Sequence, residues 1–285
     1  MTRFAERAAL AAALAALAVA GLAGCMSKAK RHLYAAEDLF EKRDLKGARD
    51  ELKEAIKAEP DLLDAHKSLA HVDEYLGDEE GAGREYEIAS RLDPSDTKLS
   101  NKAHYYSQMR ELQNSADKAL DDIKAGHVEE GLNTLKSIIT NSKYKPARDR
   151  AVAALGEAAP LIAHQGDALN EAKKYDDAVT TYSLAIRAYL MLAEASGKSQ
   201  LDPAAGPVMQ SLNAAAAAGG ARDRAFSTLN DVVAFDPENK VANAELAKAY
   251  LARQPPDYGT AADLMERAGA SDAQVKAMRA RAKSH

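Results

Sequence analysis

Histidines, a single cysteine and several Ser, Lys and acidic residues are the side chains of this chain that could do chemistry. No two of the seven histidines stand four residues apart, and no His-Glu-x-x-His sequence occurs, so no zinc-type pair is expected. Lys198 and Ser199 follow a glycine as in a phosphate loop, but position 192, where such a loop needs glycine, is Leu192. Ser115 and Lys118 have the spacing of a nucleophilic serine beside a lysine, but the further motifs of such a site are missing. The sequence therefore predicts no catalytic residue, no metal ligand and no cofactor, and hence no enzyme.

Cys25 is the one residue for which the sequence predicts a specific chemical modification. It is the only cysteine, and it ends an apolar run from Ala8 that follows basic residues at positions 3 and 7. The segment Leu22-Ala23-Gly24-Cys25 resembles the lipobox of bacterial lipoproteins. The resemblance implies that residues 1–24 are a signal peptide, that Cys25 becomes the acylated N-terminus, and that residues 25–29 are a lipidated tether. A plain secretion signal and an uncleaved membrane helix stay open, although the run is short and mostly alanine.

The same resemblance bears on location. By the lipoprotein rule, Met26 after the cysteine, rather than Asp, indicates the outer membrane facing the periplasm, provided that the organism has two membranes. The lipid bilayer is then one partner, through Cys25. With 38 basic and 43 acidic residues the chain has a net charge of −5, which argues against nucleic acid as a partner.

A 34-residue repeat organises the region after the tether. Pro60 and Pro94 are 34 residues apart, and so are Ala48 and Ala82. Each of these alanines begins a small, large, small series at i, i+4 and i+7, which is typical of a helix that packs closely on its neighbour. The pattern resembles the tetratricopeptide repeat (TPR), a pair of antiparallel helices. It implies an all-α fold, an α-solenoid of antiparallel helical hairpins that forms a right-handed superhelix.

The repeat pattern is strong near both ends of the chain and weaker between them. The middle has small-residue positions at 82, 131, 178 and 225, which predicts hairpins with longer helices, for example over Leu99 to Lys124 and Asp176 to Ala195. Pro160 predicts a break or kink. The predicted organisation is TPR and longer hairpins over 30–196, a linker or loop at 197–207, and TPR hairpins over 208–285. A capping box at Ser271 opens a final capping helix, with Val275, Met278 and Ala282 facing inward.

First-helix residues of TPR proteins line a concave groove that binds a peptide or helix. The resemblance implies that nine positions here form a candidate partner-binding groove: Leu33, Glu37, Phe40, Glu41, Asp64, Lys67, His71, Glu74 and Tyr75. The groove lacks the Lys/Asn/Arg clamp with which some relatives hold a carboxylate. Leu33, Phe40 and Tyr75 are either apolar anchors for a partner or packing residues.

The function that these patterns favour is a membrane-anchored interaction scaffold in a bacterial cell-envelope assembly. Outer-membrane protein insertion, pilus or secretin assembly, and regulation of peptidoglycan enzymes are all compatible with it, and the partners would be other envelope proteins. The alternative is an envelope enzyme or a small-ligand sensor with a site in the irregular middle hairpins.

Overall fold

A computed structural model describes residues 26–219 and 221–283 of the chain. Cys25 and the predicted signal peptide lie outside this part. The described residues form thirteen α-helices and no strand, so the predicted all-α fold is confirmed. The helices are α1 (Lys28–Glu41), α2 (Leu45–Ala58), α3 (Leu63–Leu76), α4 (Glu79–Leu92), α5 (Thr97–Lys124), α6 (Val128–Asn141), α7 (Lys145–Glu171), α8 (Tyr175–Ala195), α9 (Ala205–Gly219), α10 (Arg222–Phe235), α11 (Lys240–Leu251), α12 (Tyr258–Arg267) and α13 (Asp272–Ala282).

The helices belong to two compact units, and the boundary between the units falls inside α5, after Arg110. In the first unit α1 packs on α2 and α3 on α4, while the first helices of the two hairpins, α1 and α3, also touch. In the second unit α7, α9 and α11 contact one another in succession, and α8 contacts α10. First helices therefore contact first helices within each unit, and in the second unit second helices also contact second helices, as expected for a hairpin repeat.

The second helix of every hairpin has a small residue at its fourth position. These residues are buried, and they are Ala48, Ala82, Gly131, Ala178, Ala225 and Ala261. A larger side chain follows four positions later, such as Leu52 or Tyr86, and is also buried. The small residue lets the two backbones approach, and the large one fills the core beside it. The steps of 49, 47 and 47 residues between positions 82 and 225 reflect the greater length of α5, α7 and α8 and, in the last step, the longer connection over 196–204.

Aspartate caps begin three of the second helices. Asp44 and Asp78 precede α2 and α4, and each carboxylate accepts a hydrogen bond from the backbone N–H three residues later. Asp257 does the same before α12. The long hairpins instead enter α6 and α8 from His127 and Lys174, which make no side-chain cap. An aspartate cap contributes about 1 kcal/mol to its helix, so α2, α4 and α12 begin with more local stabilisation than α6, α8 and α10, which have no side-chain cap.

Three details differ from the sequence predictions. The predicted break at Pro160 is wrong, because α7 runs without interruption through this proline, whose ring lies on the exposed face. The predicted loop at 197–207 corresponds to a turn over 196–204, since α9 already begins at Ala205. In α13 the capping box at Ser271 forms and Val275 is buried, but Ala282 is exposed rather than inward-facing.

No helix in the described part of the chain is long and apolar enough to cross a membrane.

Candidate functional site

A cleft of about 390 Å³ opens in the first unit between α1 and α3. Its floor is apolar and belongs to the hydrophobic core, with Ala36, Leu52 and Val72 buried beneath it. Its remaining wall and rim are formed by Glu37, Phe40, Glu41, Ser68, His71 and Tyr75. Five of the nine predicted groove residues therefore line one cleft: Glu37, Phe40, Glu41, His71 and Tyr75.

Two aromatic rings form the apolar part of the rim. Phe40 and Tyr75 meet edge to face, with 5.4 Å between the ring centroids. Phe40 is partly buried against the core, whereas Tyr75 leaves 65% of its surface exposed. An aromatic residue this exposed beside an apolar floor is a favourable contact for an apolar side chain of another molecule.

The charged part of the rim is acidic. Glu37 and Glu41 lie one turn apart on α1, both are exposed, and neither has a hydrogen-bond or ion-pair partner among the residues that the structure describes. No Lys or Arg lines the cleft. The rim therefore combines two aromatic rings with two negatively charged carboxylates.

The other four predicted groove residues lie outside the cleft. Leu33 is buried in the core of the first hairpin, because it faces α2 and the following helix rather than solvent. Asp64 is exposed, and Lys67 lies 3.8 Å from Asp96 in an ion pair. Glu74 does not line the cleft itself but belongs to a polar cluster that His71, which does line it, contacts at 3.4 Å.

Glu74 is the centre of that cluster, which joins α3, α4 and α5. Its carboxylate accepts hydrogen bonds from Tyr86 Oη at 3.0 Å, Tyr106 Oη at 2.8 Å and Lys102 Nζ at 2.6 Å. Burial alone would raise the pKa of Glu74, but these three hydrogen bonds outweigh it and lower the pKa. Burial and the same carboxylate raise the pKa of both tyrosines. Glu74 is thus a satisfied, ionised packing group rather than a free contact for a partner.

Sequence reasoning missed the contribution of α5 to this cluster. Tyr106 stacks on Tyr86 with centroids 5.7 Å apart, and Lys102 ion-pairs with Glu74. Both residues lie in α5, the first helix of a long hairpin. Because α5 is twice as long as the helices before it, the turn that follows it does not come at the 34-residue spacing. The available signal was Pro94 together with the 34-residue step, which places Tyr105 and Tyr106 on the helix that follows α4.

Polar contacts also repeat at the 34-residue step. His32 Nδ1 lies 2.6 Å from Glu51 Oε2, and His66 Nδ1 lies 2.6 Å from Glu85 Oε2. In each pair the histidine lies on the first helix of a hairpin and the glutamate on the second. The 34-residue repeat therefore includes the polar side chains that join the two helices of each hairpin, in addition to the buried small and large residues.

Two hairpins of fourteen-residue helices thus repeat at 34 residues in their caps, their small positions and their histidine–glutamate contacts. These two hairpins have the architecture and the repeat length of tetratricopeptide repeats. Their first helices, α1 and α3, bear the cleft.

No protein-family model matches the chain, and no curated protein sequence matches it. Solved structures of TPR proteins are similar to it. The TPR2AB-domain:pHSP90 complex of yeast Sti1 is 16% identical over 90% of this chain and 95% of that chain, with a TM-score of 0.35. Pseudomonas aeruginosa pilF is 13% identical over 90% and 83%, with a TM-score of 0.27. The P58(IPK) TPR domain is 16% identical over 90% of this chain but only 65% of its own, with a TM-score of 0.30. Because these scores are low, the resemblance to TPR hairpins depends on the repeat geometry of the chain itself.

Two smaller clefts lie in the second unit. One, of about 240 Å³, has alanines of α9 and α11 on its walls and Arg222, Asp223 and Arg253 at its rim. Arg253 stacks on Phe226, with its guanidinium carbon 3.9 Å from the ring centroid. The other, of about 210 Å³, lies between α6 and α8. The described residues contain no group of three or more His, Cys, Asp or Glu that could hold a metal ion.

Proposed function

We propose that the first unit binds a segment of another protein in the cleft between α1 and α3. The observation that carries the proposal is the combination of an apolar floor, an exposed Tyr75 and a volume of about 390 Å³. Pockets of this size hold a small ligand or a few side chains. An apolar side chain that enters the cleft would cover Tyr75 and Phe40 and would remove apolar surface from water, at about 25 cal/mol per Å².

We further propose that the protein is anchored to a bilayer through Cys25 and acts as a scaffold in a bacterial envelope assembly, at the outer membrane and facing the periplasm. The lipobox-like segment supports the anchor. Since α1 begins at Lys28, three residues after Cys25, a lipid there would hold the cleft-bearing repeats close to the membrane, across roughly 10 Å of chain. The role is one of binding rather than catalysis.

Paired tyrosine variants test the binding proposal. Tyr34 and Tyr75 are both exposed tyrosines of the first unit, at 54% and 65%, but only Tyr75 lines the cleft. Partners that are cross-linked to the full chain in cells should be captured at least about tenfold less by Tyr75→Ala, since truncation of an aromatic contact at the centre of an interface costs about 2 kcal/mol or more. Tyr34→Ala should capture them as the unchanged chain does.

The combination Phe40→Ala and Tyr75→Ala should remove capture entirely. Because Phe40 also packs on the core, thermal unfolding of each variant must show that the first unit still folds. Equal capture by the Tyr75 and Tyr34 variants would contradict the proposed function.

A further inference from the structure

We infer that the segment bound in the cleft is basic as well as apolar, with an aromatic or aliphatic side chain for the floor and two Lys or Arg side chains for the rim. This inference rests on the proposed function and specifies the chemistry of the partner. It is carried by the charges around the cleft.

No Lys or Arg lines the cleft, and several lysines of the first unit pair with acidic groups outside it. Lys102 pairs with Glu74 at 2.6 Å, Lys67 with Asp96 at 3.8 Å, and Lys42 with Asp38 at 2.6 Å. Arg49 of α2 lies 2.9 Å from Asp73 of α3 and also contacts Asp78, the residue before α4. These acidic groups are therefore compensated by neighbours of the same unit.

Glu37 and Glu41 are the carboxylates of the cleft rim that lack such compensation among the described residues. Both stand beside the aromatic pair, Glu41 next in sequence to Phe40, so an apolar group on the floor brings its neighbouring side chains within their reach. Residues four apart on a helix are separated by about 6 Å along its axis. Two cations match that spacing when they lie one turn apart on a partner helix or two residues apart in an extended segment.

Charge complementarity then decides which segments bind. An acidic segment would place like charges against Glu37 and Glu41, which is unfavourable, whereas a basic one gains two ion pairs and a faster approach to the cleft. Because the two carboxylates are exposed, this preference must weaken as salt is added.

Selection from a random peptide library displayed on phage tests the inference directly. The library is selected on the full chain, and peptides that lose binding to Tyr75→Ala but keep binding to Tyr34→Ala are sequenced. The inference predicts enrichment of Lys and Arg, in pairs two to four residues apart, beside an aromatic or aliphatic residue. The double variant Glu37→Gln, Glu41→Gln should bind these peptides about three- to tenfold more weakly at low salt.

Reversal of the rim charge gives a second, independent readout. With Glu37→Lys and Glu41→Lys, selected peptides should become rich in Asp and Glu, while the requirement for an apolar residue should persist. Thermal unfolding serves as the control for folding, since both positions are exposed.

The outcomes separate this inference from the proposed function. Tyr75-dependent peptides that are acidic or uncharged would overturn the inference and leave the proposed function standing. If no peptide depends on Tyr75, the inference is overturned, and capture of partners by the tyrosine variants decides the proposed function separately. Self-association of the chain that Tyr75→Ala removes would assign the cleft to a second copy and would overturn the inference as well.

Discussion

Arg43 and Gly77 occupy equivalent turn positions, 34 residues apart, and both have a positive φ, of 65° and 75°. At each turn the next residue, Asp44 or Asp78, donates its backbone N–H to a carbonyl five residues earlier, which closes the helix before it. Only glycine adopts this backbone conformation without cost; a side chain with a Cβ atom costs about 1–2 kcal/mol. The first repeat therefore contains a strained arginine where the second has glycine.

Arg43→Gly should accordingly stabilise the chain by about 0.5–1 kcal/mol, after the greater freedom of glycine in the unfolded state is subtracted. Gly77→Ala should destabilise it by about 1 kcal/mol, although no atom lies within 4 Å of the added Cβ. Denaturant unfolding measures both. Arg43→Ala removes the charge but keeps the strain, so a gain as large as that of Arg43→Gly would show that charge, not backbone conformation, is responsible.

The buried His66 makes stability depend on pH. Burial would lower its pKa, but hydrogen bonds to Glu85 and to the Pro60 carbonyl raise the pKa above the usual 6.5. The folded chain therefore retains a proton that the unfolded chain releases. This contribution is complete below about pH 6.5, and it is lost as the pH rises through the folded pKa.

The contribution of this residue to the free energy of unfolding should thus decrease as the pH rises above about 6.5. Glu85→Gln removes the charged partner and should abolish this contribution, which denaturant titrations at pH 6, 7 and 8 would detect. An unchanged pH dependence in the variant would show that His66 is not held protonated by Glu85.

At the scale of helices, Gly131 marks the tightest of the small positions. A Cβ atom there would lie 2.5 Å from the carbonyl oxygen of Ala119 and 2.5 Å from Cγ1 of Ile123, so α6 lies closer to α5 than an alanine would permit. Gly156 of α7 offers a contrast, because its nearest neighbour would be Leu192 Cδ2 at 4.0 Å.

Gly131→Ala should therefore cost about 1–3 kcal/mol through overpacking, whereas Gly156→Ala should stabilise the chain by up to about 1 kcal/mol through helix propensity. Thermal or denaturant unfolding of the two variants measures the difference. Equal effects would mean that the fourth position of the second helix does not set the distance between helices.

Helices were predictable from this sequence where local chemistry decides them. The 34-residue step located the first two hairpins, the predicted helix over Leu99 to Lys124 is α5 within two residues, and the capping box at Ser271 forms. Pro160 misled the prediction because a proline on an exposed face removes only one hydrogen bond, and the buried residues on either side keep α7 continuous.

The cleft was predictable only in part. First-helix positions of the repeat identified Tyr75, Phe40 and the two glutamates. Leu33 occupies such a position too, but which side of α1 lies over the core depends on how α2 and α3 pack, and sequence spacing does not specify this. Two of the three hydrogen bonds that Glu74 accepts come from Lys102 and Tyr106 on α5, beyond the regular repeat.

For the whole molecule, the proposed anchor determines where the cleft operates. Cys25→Ser should abolish acylation, so that the chain leaves the detergent phase on phase separation, while the described helices fold as before. Two or more acyl chains hold a protein firmly at about 0.8 kcal/mol per buried methylene, so the change should be all or none. Mass spectrometry of the N-terminal peptide provides the check; a lipid-modified peptide from the serine variant would contradict the anchor.

The central claim is that the cleft between α1 and α3 is where a partner protein binds. The most direct measurement is photo-crosslinking in cells with p-benzoylphenylalanine at position 75 and, in a separate strain, at position 34. The account predicts a defined peptide of a partner attached at position 75 and no such product at position 34. Equal labelling at the two positions, or none at position 75, would contradict it.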